Sequence, residues 1–151
     1  MGVITINETV NKIREFNRFY MSAMDLLGNH YLGSEYSVTE ARIFFEIYTN
    51  SGCNAAYIAK TMNIDKSYLS RILKSHEKNG YLYKKISEKD SRVYELYLTE
   101  KGKNKTEDFV QKSEQQIGEL IQQLNQNDCE RLKDAFDTII AILNKCKGEK
   151  K

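Results

Sequence analysis

The 151-residue chain has no proline and no tryptophan, only two histidines, and three cysteines. Without proline nothing forces a kink or a stiff linker, and no internal repeat or low-complexity stretch marks a boundary, so a single domain is expected over residues 1–151. Cys53, Cys129 and Cys146 form no CxxC pair and are odd in number, which disfavours a disulfide scaffold and a zinc site alike. They read as reduced thiols. His30 and His76 lie far apart, neither beside an obvious nucleophile or carboxylate, and GxGxxG, P-loop and HExxH patterns are missing. An enzyme is therefore the disfavoured class, and no metal or cofactor is expected. No run of about 18 apolar residues offers a membrane span. The amino-terminal MGVITINETVNKIREF carries acid early and lacks an apolar core with a cleavage site. No secretion signal is expected there, and the cytoplasm is the default location.

The net charge of +2 is small, but its placement is uneven. Between Lys60 and Arg92 stand nine bases and four acids, a local +5 that leaves −3 for the remainder. A basic block on an otherwise mildly acidic protein is the footprint of a phosphate-binding face.

Hydrophobic spacing supplies the elements. Val10, Ile13, Phe16, Tyr20, Met24, Leu27 and Tyr31 recur at steps of three and four, predicting one long amphipathic helix from about Asn7 to Tyr31, broken by Gly33 and Ser34. Ser37 to Glu40 has the form of a capping box opening a second helix to about Thr49, apolar around much of its circumference. Asn54 can cap a third, Ala55 to Met62, with Asn63 at the bend, and Asp65 a fourth that Asn79-Gly80 ends. Ile58, Ala59, Met62, Ile64, Leu69 and Ile72 have the spacing of a helix-turn-helix. After Gly80 the period falls to two: strands Tyr81–Ile86 and Arg92–Leu98 flank the polar loop Ser87–Ser91, a two-stranded wing. Thr99 caps a helix to about Leu124, a last helix follows the Asn125–Asn127 turn, and the tail Lys147–Lys151 is expected to fray.

A helix-turn-helix lays its second helix in the major groove. The exposed candidates there are Ser67, Tyr68, Ser70, Arg71 and Lys74. Arg71 is the base reader, because its fork matches the two acceptors of guanine; Ser67 and Ser70 suit bases or phosphates, and Lys74 a phosphate. Tyr68 can equally pack on the wing. At the wing, Lys89 and Arg92 can enter a minor groove, with Asp90 orienting Arg92 through an ion pair.

Asp90-Ser91-Arg92 followed by Leu96-Tyr97-Leu98-Thr99-Glu100-Lys101-Gly102 resembles the DxR…LxLTxxG signature of MarR-family transcription regulators. IDKSYLSRILKSHEKNGYL resembles that family's recognition helix, and the likeness extends along the whole chain. It implies a mainly α fold with a small β-wing (α+β): a winged helix-turn-helix lobe at about 35–102 and a terminal-helix dimerisation bundle from about 1–34 and 103–147. It also implies a homodimer on a palindromic operator in double-stranded DNA, with Ser67 and Arg71 at base-reading positions and Arg92 as the wing arginine. The apolar stripes of the terminal helices give an independent reason to expect dimerisation. The resemblance further implies a repressor released by a small aromatic ligand, for which Tyr20 and Phe45 are candidate contacts, or a cysteine-based redox switch. For the latter, Cys53 lies near a helix N-terminus able to lower its pKa. A winged helix used only for protein contacts explains the fold but not the basic block.

Overall fold

The computed structural model describes residues 3–28 and 30–148; of the tail expected to fray, residues 149–151 lie outside these. In chain order come α1 (Val3–Ala23), a 3₁₀ turn at Tyr31–Gly33, α2 (Val38–Thr49), α3 (Ala55–Met62) and α4 (Lys66–Lys78). Strands β1 (Leu82–Ile86) and β2 (Tyr94–Leu98) follow, then α5 (Glu100–Ile121) and α6 (Gln126–Gly148). The chain forms two compact units, one running to Ser113 and the other starting at Glu114, so α5 passes from one into the other.

Local chemistry accounts for most of the boundaries. The Ser37 hydroxyl accepts from the Glu40 amide and the Glu40 carboxylate from the Ser37 amide, a complete capping box. Asn54 and Asp65 accept from the amides of Tyr57 and Tyr68 at the starts of α3 and α4. Helices α1, α3 and α4 all stop in the same way. A residue at positive φ (Asp25, Asn63, Gly80) is followed by an amide that reaches back five residues, Leu26 to Met21, Ile64 to Ala59 and Tyr81 to His76.

The first helix is therefore shorter than its periodicity suggests. It ends at Ala23 rather than near Tyr31, because Asp25 takes the left-handed position (φ 53) that glycine usually fills, and Gly28 (φ 97) turns the chain again. Tyr31 instead packs its ring near Phe109, 6.4 Å away. Both strands also start later than expected. The Tyr81 amide closes α4, and residues 90–93 form a turn in which the Val93 amide reaches the Asp90 carbonyl.

Among the described residues every buried apolar side chain falls between Ala41 and Phe109. Ile43, Phe44 and Ile47 from α2, Ile58 from α3, Leu69 from α4, and Leu82 and Leu96 from the wing are essentially inaccessible, and each such burial contributes about 1.5–3 kcal/mol. Helix α2 is not buried all round: Phe45 and Tyr48 stay exposed. Its one buried acid, Glu46, is matched by Arg42 at 2.7 Å and by the Asn50 amide at 3.4 Å, as a buried charge must be.

In the wing, Leu82 pairs with Leu98, Lys84 with Leu96 and Ile86 with Tyr94. The α2–α3 connection adds a third rung. Gly52 N–H donates to the Leu96 carbonyl (2.9 Å) and Leu96 N–H to the Cys53 carbonyl (2.8 Å), which docks the wing on the helices.

Candidate nucleic-acid interface

Helix α4 is two-faced. Leu69, Ile72, Leu73 and His76 are buried at helical spacing, so Ser67, Ser70, Arg71 and Lys74 share the opposite, exposed side, with Tyr68 exposed beside them. Its N-terminal amides, only partly capped by Asp65, add the partial positive charge of the helix dipole. Five of the candidates thus stand on one helix surface. Lys89 and Arg92 stand at the wing tip, both exposed.

Arg92 is held in place. The Asp90 carboxylate accepts from its backbone amide (3.0 Å), its Nε (3.1 Å) and its Nη2 (3.2 Å), while the arginine side chain is 88% exposed. The Arg92 side chain, and then its amide, hold the Asp90 carboxyl below its ordinary pKa. At such an exposed pair the energy is small, and what it fixes is direction.

Between α3, α4 and the wing lies a cavity of about 300 Å³ lined by Asn54, Ala55, Ala56, Ser70, Leu73, Lys84, Arg92, Val93, Tyr94 and Leu96. Lys84, which was not among the expected DNA contacts, places its charge in this lining. It lies 3.8 Å from Glu77 of α4 and 5.9 Å from the Tyr94 ring. The period-two alternation gives the signal, since Lys84 shares the Leu82 face of β1 and that face turns towards the helices.

Tyr20 and Phe45 do not line this cavity: Tyr20 stacks on Phe16 (5.1 Å) in α1, and Phe45 is exposed on α2. The expectation that a helix N-terminus activates Cys53 is corrected. Burial pushes its thiol up, the Glu46 charge pushes the same way, and a raised pKa disfavours the reactive thiolate. His76 is 2% exposed, with neither ring nitrogen hydrogen-bonded, stacked 4.3 Å from Phe44 and edge-on to Tyr36 and Tyr81. Burial drives its pKa down to about 4. Among the described residues no group of three or more His, Cys, Asp or Glu is placed to hold a metal ion, and no helix is long and apolar enough to cross a membrane.

Two helices joined at a left-handed asparagine, followed by a two-stranded hairpin docked beside the second, define a winged helix-turn-helix protein. The family model for the MarR family matches residues 36–94. Over that segment the chain is similar to the MarR family. Over 69 residues it is 30% identical to the HTH-type transcriptional regulator BilQ of Clostridioides difficile (strain CD3). That match covers 44% of this chain and 47% of BilQ, so it spans about half the length of that relative. Among solved structures, Streptococcus pneumoniae FabT in complex with DNA superposes with a TM-score of 0.68 at 19% identity, over 96% of this chain and 99% of that one. A mutant of E. coli MarR complexed with operator DNA gives 0.70 at 19%, over 88% and 96%. At these identities the structural likeness is one of fold.

Proposed function

We propose that this protein is a homodimeric transcriptional regulator that binds duplex DNA sequence-specifically, acting as a repressor on a palindromic operator until a small ligand releases it. The carrying observation is the polar face of α4, Ser67, Ser70, Arg71 and Lys74, standing free beside a wing arginine that Asp90 holds extended. Such a face suits a major groove, with Arg71 to a guanine and Lys74 to a phosphate, while Arg92 and Lys89 suit the neighbouring minor groove. That BilQ is named a regulator and that FabT and MarR were crystallised with DNA support the same reading. A DNA-bound role also accords with a cytoplasmic location.

Dimerisation is supported by apolar side chains that a single chain leaves in water. They include Ile6, Val10, Ile13 and Phe19 on α1, and Leu132, Ile139, Ile140 and Leu143 on α6. Two copies would present two α4 helices to half-sites about 34–36 Å apart. Release by a ligand is supported by the cavity under the wing, because Ser70 and Arg92 belong both to its lining and to the proposed DNA face. An occupant and a DNA backbone would compete for them. Tyr20 and Phe45 are the alternative aromatic positions for such a ligand.

The test starts with selection of bound fragments from random duplex DNA, followed by gel-shift titration at matched salt. Arg71→Ala should cost about 1–3 kcal/mol and relax the preference at one base position. Arg92→Ala should weaken binding with less change in preference. Operator binding by both variants as tight as that of the unaltered protein overturns the site, and a protein that shifts no duplex even at low salt overturns the regulator reading.

A further inference from the structure

The carbonyls of Asn79 and Gly80, just past the end of α4, are capped from further along the chain. Thr99 Oγ1 donates to the Gly80 carbonyl at 2.6 Å while accepting from the Gly102 amide at 3.1 Å. Lys101 Nζ donates to the Asn79 carbonyl at 2.8 Å and lies 4.5 Å from the centre of the Tyr81 ring. The Thr99 amide donates to the Tyr81 carbonyl at 3.0 Å. A cation on the C-terminal carbonyls of a helix is favourably placed against its dipole. Here the cation comes from the first turn of a different helix, α5, about twenty residues along the chain.

The opposite end of α4 is capped by its own Asp65 and carries the polar face proposed to meet DNA. Helix α4 is 13 residues of continuous hydrogen-bonded backbone, so its two ends move together. Whatever fixes the Asn79–Gly80 end therefore fixes the angle at which Ser67, Ser70 and Arg71 are presented. We infer that Thr99 and Lys101 are positioning residues: the first turn of α5 holds the C-terminal end of α4 and so sets how the reading face enters the groove.

The inference rests on the regulator reading and deepens it. Its contribution lies in specificity, since random-sequence DNA is bound mostly through phosphate charge and tolerates a tilted helix, whereas base contacts do not. A direct phosphate contact by Lys101 would behave differently, lowering affinity for every duplex and reducing the salt slope by about one.

The experiment uses the full-length protein, the duplex recovered by selection, and a random-sequence duplex of equal length. Lys101→Met keeps the stem over Tyr81 and removes the donor; Lys101→Arg restores a cationic donor; Thr99→Val removes the hydroxyl. Expected for Lys101→Met is a tenfold or greater loss on the selected duplex, unchanged affinity for the random one and an unchanged salt slope. Lys101→Arg should recover most of that loss, and Thr99→Val should show the same selective defect. Selected-duplex binding equal to that of the unaltered protein overturns the inference alone. So does an equal loss on both duplexes with a shallower salt slope. Failure of the unaltered protein to bind any duplex falls on the regulator reading and takes this one with it.

Discussion

Replacing glycine by alanine inside a helix ordinarily stabilises it, by about 0.5–1 kcal/mol, because alanine loses less backbone freedom on folding. Helix α5 contains two glycines for which opposite signs are expected. At Gly118 a Cβ would meet nothing within 4 Å, and Gly118→Ala should be stabilising by about that amount. At Gly102 the added Cβ would fall far inside contact distance of the Tyr81 carbonyl oxygen, 3.0 Å from that carbonyl carbon and 3.2 Å from Leu98 Cδ2. Backbone cannot swing aside as a flexible side chain can, so the first turn of α5 must lift from the start of β1.

Lifting that turn strains three hydrogen bonds: Thr99 N to Tyr81 O, Thr99 Oγ1 to Gly80 O, and Lys101 Nζ to Asn79 O. At about 0.5–1.5 kcal/mol each the loss is about 3 kcal/mol, against a propensity gain of at most about 1. Gly102→Ala should therefore be destabilised by about 2 kcal/mol, roughly 3 kcal/mol below Gly118→Ala. Urea unfolding of both variants and the unaltered protein reads the difference directly, at one protein concentration because association would otherwise shift the midpoint. A Gly102→Ala midpoint equal to or above that of the unaltered protein would refute the reasoning.

Acid should weaken the fold through His76. Its pKa is near 6.5 when unfolded and about 4 when folded, so its neutral form is favoured in the fold. Stability is unaffected above about pH 6.5 and falls as pH drops from 6.5 towards 4, by about 3 kcal/mol over the whole window. Comparing urea midpoints of His76→Leu and the unaltered protein at pH 7 and pH 5 isolates it; a difference between them that does not change with pH refutes the assignment. Cys53, with its thiol pushed up by burial, should be alkylated by iodoacetamide near neutral pH more slowly than the exposed Cys146, as peptide mapping would read. Faster labelling at Cys53 would revive the redox reading.

What could be read from the chain beforehand is what neighbouring residues decide among themselves. The Ser37–Glu40 box, the Asn54 and Asp65 caps and the left-handed Asn63 are settled within four residues, and each stands where its side chain chemistry demands. The end of α1 escaped because the usual signal is glycine and the chain uses Asp25. His76 continues the spacing of Leu69, Ile72 and Leu73, so its burial was available from the pattern; its polarity hid it. The raised Cys53 thiol was not legible because it depends on packing against the core and on the Glu46 charge, both set by the fold. Likewise the Thr99 and Lys101 contacts join residues 19 and 22 positions apart, beyond any local rule.

The terminal helices make a further physical point. Helices α1 and α6, of 21 and 23 residues, contribute no buried apolar side chain among the described residues, although each carries isoleucines and leucines or phenylalanines at helical spacing. In proteins most helical stability comes from packing an amphipathic face rather than from propensity. The wing and helix-turn-helix have their own core between Ala41 and Phe109, so that lobe has packing to hold it within one chain. The terminal stripes acquire theirs only when something covers them. Helix formation at the two ends is thus tied to whatever covers those stripes, and the second copy proposed above would supply that cover.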